Sequence, residues 1–318
     1  PVVDINNNPN NPVINDRSFG EDKYKVALYG IKYMQGLQES GVMACAKHFP
    51  GHGDVSVDSH FDLPVINKTM AQLDSLELYP FREIFKAGIG SVMVAHLYIP
   101  VIDSTPNRAT SISKKNVNGL MRNPIGFQGL TFTDALEMQG VQKYFPGGAA
   151  AVQSLIAGND MLCLPGDIDS TIQKIKDAIK NKELSWQDIE LHCKRVLMAK
   201  YQYGAARFEP INTVNIAADL NKDVPAMKKL VAENTITVLN KISDDFFPLV
   251  ADTKNPTTDI AYVAIGINTD NTFTKRMRTD YNAAVFYFDY NTDPIRILST
   301  VALIKSRYKK VVIGIHNY

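Results

Sequence analysis

The groups best suited to do chemistry are concentrated in one stretch, Lys47-His48-Phe49-Pro50-Gly51-His52-Gly53-Asp54-Val55-Ser56-Val57-Asp58-Ser59-His60, which carries three of the chain's six histidines. Asp58-Ser59-His60 sets a carboxylate two residues from an imidazole. In a tight loop the two side chains can touch. Contact would fix the ring tautomer and raise its basicity, and an imidazole passes protons near neutral pH. An Asp-x-His pair is also compatible with a loop histidine bonded to its neighbour and nothing more. Gly51 and Gly53 allow the segment to bend tightly. By pattern alone it is either a working site or a solvated connection.

Other candidates stand elsewhere. Asp134 follows Leu130-Thr131-Phe132-Thr133, where a strand-end carboxylate would point into a barrel mouth or cap the next helix. Arg17, in Asp16-Arg17-Ser18-Phe19-Gly20, could fork onto hydroxyls or a carbonyl, or stand on the surface. His96 and Asp160 also border apolar runs, to line the pocket or to shape it. His48, His52, His60 and His96 could supply metal ligands, but H-x-H, H-E-x-x-H and a cysteine pair at metal spacing are all missing. No metal and no cofactor are expected.

These groups need elements to position them. Strand candidates are Val2–Ile5, Val42–Lys47, Gly90–Ala95, Leu130–Thr133 and Asp160–Leu164. Helices fit between them. Asn67 or Thr69 can cap one reaching Lys86, with Gly88 as its stop, and Ser113 can cap another through Arg122. Asp169 opens a third through Lys180, and Ser185 with Asp188 makes a capping box for a last one ending at Gly204. Strands alternating with helices mean parallel βα units, as an open doubly wound sheet or as part of a barrel. A closed (β/α)8 TIM barrel needs eight units, so about three N-terminal ones are expected to be absent from this chain. Residues 1–204 are read as this partial catalytic domain and 205–223, polar and irregular, as a linker. Residues 224–318 are read as a smaller α/β sandwich domain with a parallel sheet, truncated at its C-terminus. In it a helix from Pro225 leads into Ile236–Leu239. Further strands fit Ile260–Ile265, Ala284–Phe288 and Val311–Ile315, with a helix over Asp293–Tyr308. Gly266-Ile267-Asn268 lacks a G-x-G-x-x-G, so a dinucleotide has no support.

Composition narrows the class. The 318 residues are 45% hydrophobic and 21% charged, and 34 Lys+Arg nearly cancel 33 Asp+Glu. That balance favours neither nucleic acid nor an anionic membrane as partner. No apolar run is long enough to span a bilayer. Three cysteines, Cys45, Cys163 and Cys193, do not make a disulfide scaffold. Cys45 and Cys163 sit in apolar runs and are expected to be buried structural thiols. The sequence carries no sign of oligomeric state.

The segment Lys47 to Asp54 together with Asp58-Ser59-His60 resembles the signature of glycoside hydrolase family 3, in its β-N-acetylglucosaminidase branch. Arg17-Ser18-Phe19-Gly20 and Thr133-Asp134-Ala135-Leu136-Glu137-Met138 also resemble family segments, in the right order. The resemblance is strong over residues 1–204 and weaker over the second domain. It implies a retaining mechanism, with Asp134 as nucleophile and His60, paired with Asp58, as general acid/base in place of the usual second carboxylate. It implies that Lys47, His48 and Arg17 hold the N-acetylglucosamine. The family places a further acidic sugar-binding residue before the start of this chain.

The expected substrate is therefore a small-molecule carbohydrate with terminal N-acetylglucosamine, peptidoglycan-derived in a bacterium. The periplasm or cell envelope is favoured over the cytoplasm. The alternatives are a β-glucosidase or glycoside phosphorylase of the same family, a metal-dependent hydrolase, and a non-catalytic carbohydrate-binding fragment.

Overall fold

The computed structural model describes residues 1–205, 209–237, 249 and 259–316. Contacts divide the chain into two compact units, Pro1–Ile211 and Asn212–Tyr318.

The first unit is built on parallel β-structure. Strands β1 (Cys45–Phe49), β2 (Ser91–Val94) and β3 (Leu130–Thr133) pair in chain order. Cys45 stands opposite Ser91, and Ser91 opposite Leu130. A parallel bridge joins Val2 to Lys47 on one side, and another joins Phe132 to Met161 on the other. The strands expected at Val2–Ile5 and Asp160–Leu164 are thus reduced to single bridges. Side chains occupy the ladder positions: the Thr133 hydroxyl, not a carbonyl, accepts the Cys163 amide. β1 starts three residues later than expected because the Val42 amide is spent on Leu37 O, closing the helix before it.

That helix, Lys23–Glu39, was not assigned from sequence. Asp22 caps it, and it buries Val26, Ala27, Gly30 and Met34. Of the two expected caps it is Thr69 that serves, in a capping box with Gln72, but the helix breaks in two, Met70–Ser75 and Leu78–Lys86. The break falls at Glu77, whose carboxylate turns inward to the Lys68 ammonium. Ser113 caps Lys114–Asn116, which continues as a π-helical turn through Val117–Arg122. Asp167, not Asp169, caps Ile168–Lys180. The Ser185–Asp188 capping box opens Trp186–Gln202. The core joins strand and helix through an aromatic edge, Phe49 meeting Phe81 at 5.2 Å between ring centres, and Phe85 meets Phe127, in the loop before β3, at 4.5 Å.

In the second unit β4 (Ile260–Ile265), β5 (Ala284–Phe288) and β6 (Lys310–Ile315) form a parallel sheet in the order β5-β4-β6. Helices Thr272–Tyr281 and Pro294–Arg307 make the crossovers, the second capped by Asp293. The three strands and the helix Pro294–Arg307 match the expected elements closely, whereas the helix Thr272–Tyr281 was not expected. The helix Val224–Thr235 is also present. Of the strand expected at Ile236–Leu239, Ile236 and Thr237 are not strand and the rest lies outside the described residues. The stretch expected to be irregular linker holds a short helix, Ile216–Asn221. Cys45 and Cys163 are only partly buried, a correction to the expected buried thiols, because each stands at a strand or bridge end and not within the core.

Candidate active site

Asp58 and His60 touch. His60 Nδ1 lies 2.6 Å from Asp58 Oδ1, and the His60 amide donates to the same oxygen at 2.9 Å. The imidazole side chain is 59% exposed and its partner carboxylate 23%. Partial burial works to raise the Asp58 pKa, but the two bonds from His60 outweigh it and hold the carboxyl below its ordinary value. An ionised Asp58 makes Nδ1 the donor, which leaves Nε2 as the working ring atom.

A second histidine–carboxylate pair lies in the interior, 44 residues apart in sequence. His48 Nδ1 is 2.7 Å from Asp4 Oδ2, and both Asp4 oxygens accept the His48 amide at 3.1 Å. Asp4 Oδ1 also takes the His52 amide at 2.7 Å. Burial opposes the Asp4 charge, yet His48 and His52 together hold its pKa below the ordinary carboxylate range. Asp4 was not singled out from sequence. The available signal was a carboxylate inside the apolar run Val2-Val3-Asp4-Ile5, where a charge needs a partner.

The loop carrying these groups is braced. Lys68 reaches Asp54 at 2.6 Å and also pairs with the buried Glu77. Burial would lower the Lys68 pKa, but the two carboxylates raise it. The Asn11 amide group holds the carbonyls of His52 and Gly53 at 2.8 and 2.9 Å. Gly51 has φ +128° and lies over Glu77. At Gly53 a Cβ would stand 1.6 Å from Ile5 O, so only glycine fits there.

Asp134 stands just beyond β3. Its amide donates to Val94 O at 2.9 Å, and its Oδ1 accepts the Ala135 amide at 2.9 Å. It caps no helix, since the next one begins at Gln139. Its negative charge is felt at the rings of His52 and His96 and at the Cys163 thiol. His96 in turn feels His48 and His60, and the Gly140 amide donates to Ser59 O at 3.1 Å, which brings the segment after Asp134 against the Asp58–His60 loop. His96 is enclosed, with Nδ1 2.6 Å from Ser111 Oγ and Nε2 2.9 Å from Ala135 O. Burial is the main cause that lowers its pKa, and likewise that of His52, so both rings stay neutral. Burial raises the Cys163 thiol pKa, and Asp134 and Glu137 add to the effect; the Lys47 ammonium opposes them. Lys47 itself stands in β1 next to His48 and is part-buried.

Two candidates stand apart. Arg17 is exposed, with Nη1 on Val13 O at 3.1 Å, because its short turn folds back on Ile14. Its neighbour Ser18 does anchor the segment, donating to Asp4 O at 2.6 Å. Asp160 does not line the site. It is enclosed and saturated by Arg122, Arg195, His192 and Thr131. Among the described residues, no group of three or more His, Cys, Asp or Glu is arranged to hold a metal.

Residues 1–199 match the profile described as "Glycosyl hydrolase family 3 N terminal domain". A Beta-hexosaminidase A of Pseudoalteromonas piscicida is 31% identical over 265 residues, which is 77% of this chain and 43% of that protein. A Beta-N-acetylglucosaminidase/beta-glucosidase of Cellulomonas fimi is 28% identical over 250 residues, 76% of this chain and 44% of that one. The matched part of the chain thus spans somewhat under half the length of these curated relatives. Among solved structures, a glycoside hydrolase family 3 beta-N-acetylglucosaminidase from a Paenibacillus species superposes with a TM-score of 0.78 at 26% identity. That superposition covers 98% of this chain and 60% of the other.

Proposed function

Since the chain belongs to glycosyl hydrolase family 3, we propose that it is part of a retaining exo-β-N-acetylglucosaminidase that releases terminal N-acetylglucosamine. The observation that carries the reading is the exposed Asp58–His60 pair at 2.6 Å, on a loop against which the segment after the strand-end carboxylate Asp134 packs.

Asp134 attacks the anomeric carbon and forms a covalent glycosyl-enzyme as the aglycone oxygen leaves. His60 Nε2 gives that oxygen its proton, then takes one from the water that cleaves the intermediate. Asp58 stays ionised and holds Nδ1 throughout. Lys47 and His48 grip the sugar, and Arg17 joins them by leaving the Val13 carbonyl when substrate enters. The β-hexosaminidase name of the Pseudoalteromonas relative supports N-acetylhexosaminide as substrate. Peptidoglycan-derived sugar is the natural source we favour, with the cell envelope as the compartment. The double name of the Cellulomonas relative favours β-glucoside as the second substrate to try.

Five chain segments neighbour one another in sequence order, from Val2 through β1, β2 and β3 to Met161. A doubly wound sheet reverses its strand order at a switch point, whereas barrel staves follow the chain. The order supports a (β/α)8 barrel portion over residues 1–204; after it we propose a linker over 205–223, which holds the short helix Ile216–Asn221, and a sandwich domain over 224–318.

Asp134→Ala and His60→Ala in the intact protein test the roles, with aryl N-acetylglucosaminides of good and poor leaving ability. Asp134→Ala abolishes turnover of both. His60→Ala spares the good leaving group more, because less protonation is needed. Turnover like the wild type's in either variant refutes the assignment.

A further inference from the structure

We propose that Asp4 is a positioning residue for sugar binding: its carboxylate fixes the His48 imidazole with the proton on Nδ1 and leaves Nε2 as the one ring atom free for the substrate. The sugar-binding half of this rests on the function proposed above; the tautomer half does not.

The Asp4 side chain is fully enclosed, and that of His48 is 7% exposed. Two backbone N–H groups, of His48 and His52, point at the Asp4 oxygens, and an N–H can only donate. These donors and the His48 ring hold Asp4 in its ionised form, whose oxygens can only accept, so the ring nitrogen 2.7 Å from Oδ2 brings the proton. The anchoring of His48 through both its amide and its Nδ1 repeats the Asp58–His60 arrangement, but in the interior. The exposed pair can exchange protons with what enters, whereas the enclosed pair holds a fixed orientation. The neighbouring rings cannot serve in its place. Both nitrogens of His96 are engaged by Ser111 and Ala135. Both nitrogens of His52 are sealed from solvent without a partner among the described residues. His48 Nε2, with no partner among the described residues, is the ring nitrogen available to a pyranose hydroxyl. It accepts from that hydroxyl when the ring is neutral and donates to its oxygen when the ring is charged.

The test is nitrogen-15 NMR of the intact protein labelled in histidine, at a pH above the ring's titration. The expected result is a protonated Nδ1 and a bare Nε2 for His48; a neutral Nε2–H form overturns the proposal, whatever the activity. Asp4→Asn then mixes the tautomers and raises KM for an aryl N-acetylglucosaminide about tenfold, the scale of one lost hydrogen bond to the sugar, with kcat changed less than about threefold. Because Asp4 acts through His48, adding Asp4→Asn to His48→Gln brings no further rise in KM; a full additional rise refutes the mechanism. If the wild-type protein cleaves no N-acetylglucosaminide, the proposed function falls while the NMR result still decides the role of Asp4.

Discussion

Replacing Asp58 by Asn keeps the size and an acceptor oxygen but removes the charge that faces His60 Nδ1 at 2.6 Å. A hydrogen bond to a charged group contributes about 1–2 kcal/mol more than a neutral one. With the imidazole 59% exposed, solvent screening favours the lower end, about 1 kcal/mol. That difference matters where His60 carries positive charge and not where it is neutral. It therefore acts on protonation of the leaving oxygen. For a poorly departing alkyl aglycone, kcat/KM should fall about fivefold. For a nitrophenyl aglycone, which departs with little help, it should fall less than about twofold. The assay compares both substrates in the intact protein at one pH. An equal fall for the two aglycones would mean that Asp58 shapes the loop and does not tune the proton donor. No fall with either would remove it from the mechanism.

Two further predictions concern the scaffold. Asp160→Asn leaves the Arg122 guanidinium buried with its counter-charge gone, which destabilises the first unit by about 3–5 kcal/mol in urea titrations followed by circular dichroism. Burial opposes the Asp160 charge, but His192, Arg122, Thr131 and Arg195 hold its pKa down, so its contribution is full above about pH 4 and is lost as pH falls through the depressed value. A wild type and variant that lose stability in parallel below pH 4, with ~1 kcal/mol or less between them at neutral pH, contradict this reading. Gly53→Ala drives a Cβ into the Ile5 carbonyl, which is backbone and cannot yield, so the histidine loop must shift. A displacement of about 1 Å at the proposed sugar grip lowers kcat/KM about a hundredfold. Unchanged kinetics in a folded Gly53→Ala protein would show that the loop's placement is irrelevant to turnover.

Residue types and short-range spacing were enough to read the Asp58–His60 contact, since two residues in a turn leave few alternatives. They were enough for the parallel α/β alternation, for β4 and β5 to the residue, and for the Ser185–Asp188 box, because periodicity and capping are local. They located the densest polar loop at a strand end. They did not reveal that Asp4, 44 residues upstream, holds His48. Nor did they reveal that Arg122, His192 and Arg195 close on Asp160, or that His96 is used up by Ser111 and Ala135. Each of those pairings joins segments whose meeting depends on how successive βα units pack side by side. Sequence spacing carries no information about which charge lands opposite which. The same limit explains Arg17: its motif marks the segment, but a folded-back turn decides that the guanidinium rests on Val13 O. Amino-acid pattern alone determined which groups could do chemistry and the local elements that carry them. Only the tertiary structure decided which of them are free to act. Most buried polar groups are satisfied by whatever neighbour the fold supplies, and that neighbour is set by packing and not by position along the chain.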